Sequence, residues 1–221
     1  MSISGVPRLP ELLSLDELKL VESVATRRKY RDGEIIHECG DKQSTIGVVV
    51  FGRVKLVNPR SHGAEVFSGL IHAGQNYGDA GLLHGEVRLH RAVAIGETVI
   101  DHIGAEAFAG LLQNAAIVGA LYRVASFRLS VTLAMLDDMR TLGPDVRLAR
   151  LIARMRQASG GSDRLEFLQE EFAGMLGIST VTLAKALRQL EQLGLVQPGY
   201  RHIRITDSAR LTQWLCDHNP D

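Results

Sequence analysis

The sequence predicts an α+β chain in three parts: a strand-rich N-terminal half, one long helix, and a C-terminal pair of short helices followed by a β-hairpin. Three observations carry this. Short apolar runs punctuated by glycine fill residues 30–103. The stretch 117–139 contains no proline, and no glycine after Gly119. Residues 168–190 read as two amphipathic helices hinged at a single glycine.

Ahead of the strands, Leu12, Leu13, Leu15, Leu18, Val21 and Val24 make one or two helical segments, which end before Arg27, Arg28 and Lys29. The β-type runs are 34–37, 46–51, 54–57, 65–71, 93–95 and 99–103. Between them stand Gly33, Gly40, Gly52, Gly63, Gly74, Gly78, Gly81 and Gly85. Turns at such regular intervals mark a sandwich or a barrel.

From about residue 105 the pattern becomes helical. Val118, Leu121, Ala125, Leu129 (or Arg128), Thr132, Met135 and Met139 advance by threes and fours, flanked by Arg123, Arg128, Asp137 and Arg140. A helix this long has more apolar seam than one small β-domain can cover, so it is expected to pair with its copy in a second subunit. Gly143-Pro144 breaks it. Asp145 is the expected N-cap of a helix carrying Leu148, Leu151, Ile152 and Met155, and 159–162 (Ser-Gly-Gly-Ser) is a loop. The division is therefore 11–115, a helix over 116–142, and 143–221.

In the hinged pair, Phe172, Ala173 and Leu176 share one face of the first helix, with small Ala173 where the second must approach. Gly177 supplies the positive φ of a tight helix end, Ile178 plugs the corner, and Ser179 N-caps the next helix. Its inward face is Leu183, Ala186, Leu187 and Leu190; its outward face is Thr180, Val181, Ala184, Lys185 and Arg188. A small, partly apolar outer face with two cations suits base edges and thymine methyls flanked by phosphates. An ordinary helical hairpin, with Gly177 as a simple C-cap and the cations in solvent, fits the same residues. The segment after Gly194 favours the first reading. Pro198-Gly199 matches the central pair of a type II turn, and Ile203 and Ile205 alternate with charge, giving a wing with Arg201, His202 and Arg204 at the phosphates. The candidate DNA-contacting set is Gln169, Ser179, Thr180, Val181, Thr182, Lys185, Arg188, Arg201 and His202.

The 221 residues have room for two cores, and 45% are apolar. No apolar run is read as a membrane span and no signal peptide is recognised at the N-terminus, so a cytoplasmic protein without a membrane partner is expected. Cys39 and Cys216 offer neither a disulfide framework nor metal spacing, and no metal site is assigned. The 25 basic and 25 acidic residues balance overall. Between 180 and 210, however, five cations face two anions, a net +3. A phosphate-cradling loop, paired carboxylates and a nucleophile elbow are not found, so an enzyme is not expected.

The order of parts resembles the Crp/Fnr superfamily of bacterial transcription regulators over nearly the whole chain. The matching residues are Gly33-Glu34, Gly40-Asp41, Gly52-Arg53-Val54-Lys55, Gly63, Glu65, Gly74, Gly78, Gly81-Leu82-Leu83, Arg147-Leu148-Ala149 and the winged helix-turn-helix. The resemblance implies an N-terminal β-roll like a cyclic-nucleotide-binding domain, a dimerisation helix, and a winged reading head. Its implied partners are double-stranded DNA, a second copy of the chain and RNA polymerase. It also implies an effector site at Gly78, Asp79, Ala80, Arg88, His90, Arg91, Ala92, Thr132 and Leu133. Cyclic-AMP-responsive members have Gly-Glu for the ribose and Arg-Ser or Arg-Thr before Ala for the phosphate. Here Asp79 replaces the Glu, His90 falls at the Arg and Arg91 at the hydroxyl residue, so cyclic AMP is the minority reading and the effector is left open. Arg88, His90 and Arg91 read equally as an anion site or as surface charges on a turn. The cysteines do not match iron–sulfur members. Haem is disfavoured, although His72, His84, His90 and His102 are conceivable ligands. On the recognition helix, Thr180, Val181 and Lys185 stand where members reading the common half-site carry Arg, Glu and Arg, which implies a more A·T-rich target. An effector sensor that docks to a protein instead of DNA is the alternative function.

Overall fold

The structure, a computed structural model, describes residues 6–59, 65–166 and 168–218. The chain divides into two compact units, one running to Leu129 and one from Ser130 onward, so the boundary falls inside the long helix.

In the first unit, short helices α1 (Leu9–Leu12) and α2 (Leu15–Ser23) precede the strands. Ser14 caps α2 by accepting from Glu17 N, while the Glu17 carboxylate accepts from Ser14 N at 2.7 Å, a reciprocal box that fixes the helix start. Arg27, Arg28 and Lys29 then lie in β1 (Thr26–Tyr30), which is followed by β2 (Ile35–His37), β3 (Thr45–Pro59), β4 (Glu65–His72), β5 (Asn76–Tyr77), helix α3 (Asp79–His84), β6 (Arg91–Gly104) and α4 (Ala105–Leu111). The sheet runs β1-β6-β3-β4, with β2 also on β6 and β5 on β3, and its pairings are antiparallel.

Four of the expected runs are two long strands. Residues 46–51 and 54–57 both belong to β3, and 93–95 and 99–103 to β6. The interruption at Gly52 is a bulge rather than a turn: its φ is +79°, and register shifts flank it between Val49 and Phe51 and between Phe51 and Arg53. A Cβ there would lie 2.4 Å from Glu97 O, so glycine is required by the close approach of β6. Gly63 lies outside the described residues.

Two apolar clusters fill this unit. One is Val49, Val54, Ile71, Tyr77, Ala92 and Ile100. The other joins Ile46 and Ile103 to Leu9, Leu13, Val21, Phe108, Leu111, Ile117 and Ala120, so the flanking helices close the sheet.

Helix α5 (Ala115–Thr141) spans the expected long segment. The sequence seam needs correction at two points. Leu121 and Met135 are half-buried, whereas Val118, Tyr122, Ala125, Leu129, Thr132, Leu136 and Met139 are exposed and follow a strict 4-3 spacing. The expectation that no segment matches a membrane span is also corrected, because α5 is long and apolar enough by length and composition. Its exposed apolar residues, though, form a stripe on a helix that also carries Arg123, Arg128 and Asp138, the pattern of a helix that meets another helix.

In the second unit, α6 (Pro144–Ala158) begins at Gly143, which is the N-cap, with Pro144 at the first helical position; Asp145 is inside the first turn and not the expected cap. Then come β7 (Arg164–Glu166), α7 (Gln169–Leu176), α8 (Thr180–Gln192), β8 (Val196–Gly199), β9 (His202–Ile205) and α9 (Ser208–Asp217). The three strands form one antiparallel sheet, β7-β9-β8. Leu148, Ile152, Phe172, Leu183, Leu190, Leu195, Ile203 and Leu211 are its fully buried core.

Candidate nucleic-acid interface and sensor site

The α7–α8 corner is built as its residues dictate. Gly177, at φ +62°, ends α7, and Ile178 N donates back to Ala173 O at 3.0 Å. Ser179 Oγ accepts from Thr182 N at 3.1 Å and starts α8. Leu183, Ala186, Leu187 and Leu190 are buried. Thr180, Val181, Lys185 and Arg188 are exposed, Ala184 and Thr182 half-exposed, and Gln169 is exposed at the head of α7. Among the described residues neither Lys185 nor Arg188 makes an ion pair, so both charges are available to a phosphate. They line an open groove of about 430 Å³ with Pro144, Thr182, Ala186 and Gln189. Val181 is 65% exposed, which leaves most of a β-branched apolar side chain in solvent.

The wing forms with a different turn from the one expected. Pro198 and Gly199 pair with Ile203 and His202, so both are in the strand, and the turn residues are Tyr200 and Arg201. Arg201 takes the positive φ, +55°, at the third turn position. Gly199 serves another purpose: a Cβ on it would meet the His202 ring at 2.3 Å. The ring Nδ1 lies 2.9 Å from Tyr200 O and 3.4 Å from Arg164 Nη2. Arg201 is exposed and His202 half-exposed at the tip. Arg164, which sequence reasoning missed, joins this edge because β7 pairs with β9, and a three-residue strand leaves no periodic signal.

The residues named for an effector are scattered in role. Gly78 has φ +83° and is the N-cap of α3, and a Cβ there would meet Arg88 Nη1 at 2.6 Å. Asp79 is buried and pairs with Arg128 of α5 at 3.5 Å, while Ala80 is exposed. Arg128 also donates to the Asn76 carbonyl. Arg88 is only 7% exposed and does not lie on the surface of a turn: Nη2 donates to Thr45 O at 2.8 Å and Oγ1 at 2.9 Å, and burial lowers its pKa. Among the described residues its Nη1 has no hydrogen-bond partner. Arg91 sits at the start of β6 between two carboxylates, Glu38 at 2.7 Å and Glu65 at 2.8 Å, and is thus neutralised. His90 is half-buried, and burial pushes its pKa down. Ala92 is buried in the sheet. Thr132 and Leu133 are exposed on α5, in the second unit. Of these basic residues, then, Arg88 is buried and Arg91 is held between two carboxylates.

Of the conceivable haem ligands, His102 Nε2 lies 2.8 Å from the Tyr30 hydroxyl, and burial lowers its pKa to about 4. Among the described residues no group of three or more His, Cys, Asp or Glu is placed to hold a metal.

Residues 27–115 match the cyclic nucleotide-binding domain, and residues 146–214 match the Crp-like helix-turn-helix domain. The chain belongs to the Crp/Fnr family of DNA-binding transcription regulators. This regulator is 26% identical over 208 residues to the "Cyclic AMP receptor protein" of Thermus thermophilus, covering 91% of this chain and 93% of that one. In fold it resembles the c-di-GMP-responsive global regulator CLP of Xanthomonas campestris, with a TM-score of 0.72, 19% identity, and coverage of 88% and 100%. It also resembles a CooA mutant of Carboxydothermus hydrogenoformans, with a TM-score of 0.74, 17% identity, and coverage of 88% and 89%. Its relatives are regulators, not enzymes.

Proposed function

We propose that the chain acts as a homodimer that reads a pseudo-palindromic duplex site, with α8 in the major groove and the wing on the phosphates. Residues 11–115 serve as the effector domain, 116–142 as the dimerisation helix and 143–221 as the reading head. The observation that carries this is the outer face of α8: Thr180, Val181, Lys185 and Arg188 are exposed together, with no ion pair on either cation among the described residues. Gln169, Ser179 and Thr182 approach the backbone from the corner, and Arg201 and His202 from the wing tip. Val181 packs on a thymine methyl, and the target is richer in A·T than one read by two arginines. RNA polymerase is the further partner and the cytoplasm the compartment.

The effector is left open, and a cyclic nucleotide held in the manner of cyclic-AMP-responsive members is the minority reading. Burial works against a protonated His90, and the adjacent Arg91 is already engaged by Glu38 and Glu65.

Selection from random duplexes, followed by titration of the selected site, tests the reading head. Wild type is expected to recover a two-fold-symmetric site. Lys185→Glu with Arg188→Glu is expected to lower affinity at least about 100-fold at moderate salt with an unchanged melting temperature, since two phosphate or base contacts become repulsions. Equal binding by both proteins would refute the proposed interface.

A further inference from the structure

The last turns of α5 meet the reading head around one carboxylate. Asp138 is 7% exposed. Its Oδ1 accepts from Arg150 Nη1 and its Oδ2 from Arg154 Nη2 at 3.2 Å, both arginines lying on α6. The surrounding seam is small and largely apolar: Met135, Met139, Arg147, Leu151, Met175 and Leu176 close on it, leaving about 20 Å³. Arg147 Nη1 donates to Leu176 O at 3.0 Å, so the same face of α6 also ties down the end of α7. All these residues belong to the second unit.

We propose that Asp138 is a positioning residue for DNA reading: by clamping Arg150 and Arg154 it fixes the angle of α6, and with it α8, to the end of the long helix. Between them the chain runs through Leu142 and Gly143, which lie outside α5 and α6. The backbone there does not by itself dictate an orientation. Methionine-lined contacts are adaptable and specify an angle poorly. A buried carboxylate with two guanidinium partners is directional, and displacing it takes both partners from the Asp138 carboxylate, so one geometry is selected. In a dimer whose long helices are paired, the angle of each head to its own helix sets the separation of the two recognition helices. Asp138 thereby sets the tolerated spacing between half-sites.

This inference rests on the dimeric DNA-reading assignment, and its test separates the two. Affinity is measured on the selected site and on versions with one or two base pairs inserted or removed at the centre. Wild type is expected to lose affinity steeply off the preferred spacing. Asp138→Asn is expected to bind the preferred site about 10-fold more weakly while its spacing profile flattens. Asp138→Glu is expected to restore the sharp profile. A flat profile in wild type, or an unchanged one in Asp138→Asn, overturns the proposal.

A second measurement needs no DNA. With Cys39 and Cys216 replaced by Ser, spin labels at positions 137 and 200 of one chain report the head's angle to the helix end, using excess unlabelled chain. The distance distribution is expected to be narrow with Asp138 present and to broaden in Asp138→Asn, with both proteins retaining their helical signal. Equal distributions refute the clamp even if no duplex binds. A broadened distribution together with failure of wild type to bind any duplex would leave the clamp standing and reject the DNA reading and the spacing role built on it.

Discussion

Ser179 decides where the reading helix starts. Its hydroxyl oxygen satisfies the Thr182 N–H, one of the donors that a helix start leaves without an intrahelical partner. Ser179→Ala is expected to cost about 1 kcal/mol in a denaturant melt. A change under a few tenths would mean that solvent satisfies the Thr182 N–H as well as the hydroxyl does. The histidines of the first unit give a pH dependence. Burial lowers both His37 and His102 from 6.5 to about 4. The folded state thus holds them neutral, while the unfolded chain takes up protons near 6.5, so stability is full above that pH and falls as pH drops toward 4. Melts from pH 7.5 to 4.5 are expected to show this decline, and His102→Gln to weaken it; a melting temperature that holds or rises on acidification contradicts the assignment. Single residues also show where sequence reasoning stops. Gly177 was legible, because a glycine between two amphipathic segments has one obvious use. Gly199 was not: its role comes from the His202 ring across the strand, which no local pattern records.

At the scale of elements, periodicity identified α5, α7 and α8 and the buried face of α8. It placed the seam of α5 imperfectly because Leu121 and Leu136 are equally apolar in sequence; only the packing of Ile117, Ala120 and Val124 against the first unit shows which side is left out. The exposed side carries Leu129 at 59% and Leu136 at 44%. Burying such a leucine against a partner helix contributes about 1.5–3 kcal/mol. Leu129→Glu with Leu136→Glu is accordingly expected to give monomers by sedimentation at micromolar concentration and to abolish two-site duplex binding, while each chain still melts cooperatively. A dimer that persists would place the interface elsewhere. Strands were harder. Glycine at 52 signals an interruption in either case, and a bulge and a turn differ only in whether the chain keeps its pairing with β6 afterwards.

At the scale of the whole molecule, regulation requires that a ligand favour one arrangement, because equal affinity shifts nothing. Titration with cyclic AMP, cyclic GMP and haem, followed by melting temperature, tests the sensor, since a ligand that binds the native state raises it. No stabilisation is expected from micromolar cyclic AMP or cyclic GMP, for lack of a free cation at positions 90 and 91, nor from haem. A shift of several degrees with cyclic AMP would show that Arg88 or Arg91 is released on binding.

The sequence by itself determined the order of parts, the hinged reading helices and their buried and exposed faces, since these follow from local spacing and cap chemistry. The tertiary structure alone decided the fate of the charges. Arg88 is drawn inside beneath Gly78, Arg91 is held between Glu38 and Glu65, and Asp138 meets two arginines of α6. A charge acquires its function from what the folded chain brings within a few ångströms of it, and those partners come from distant segments.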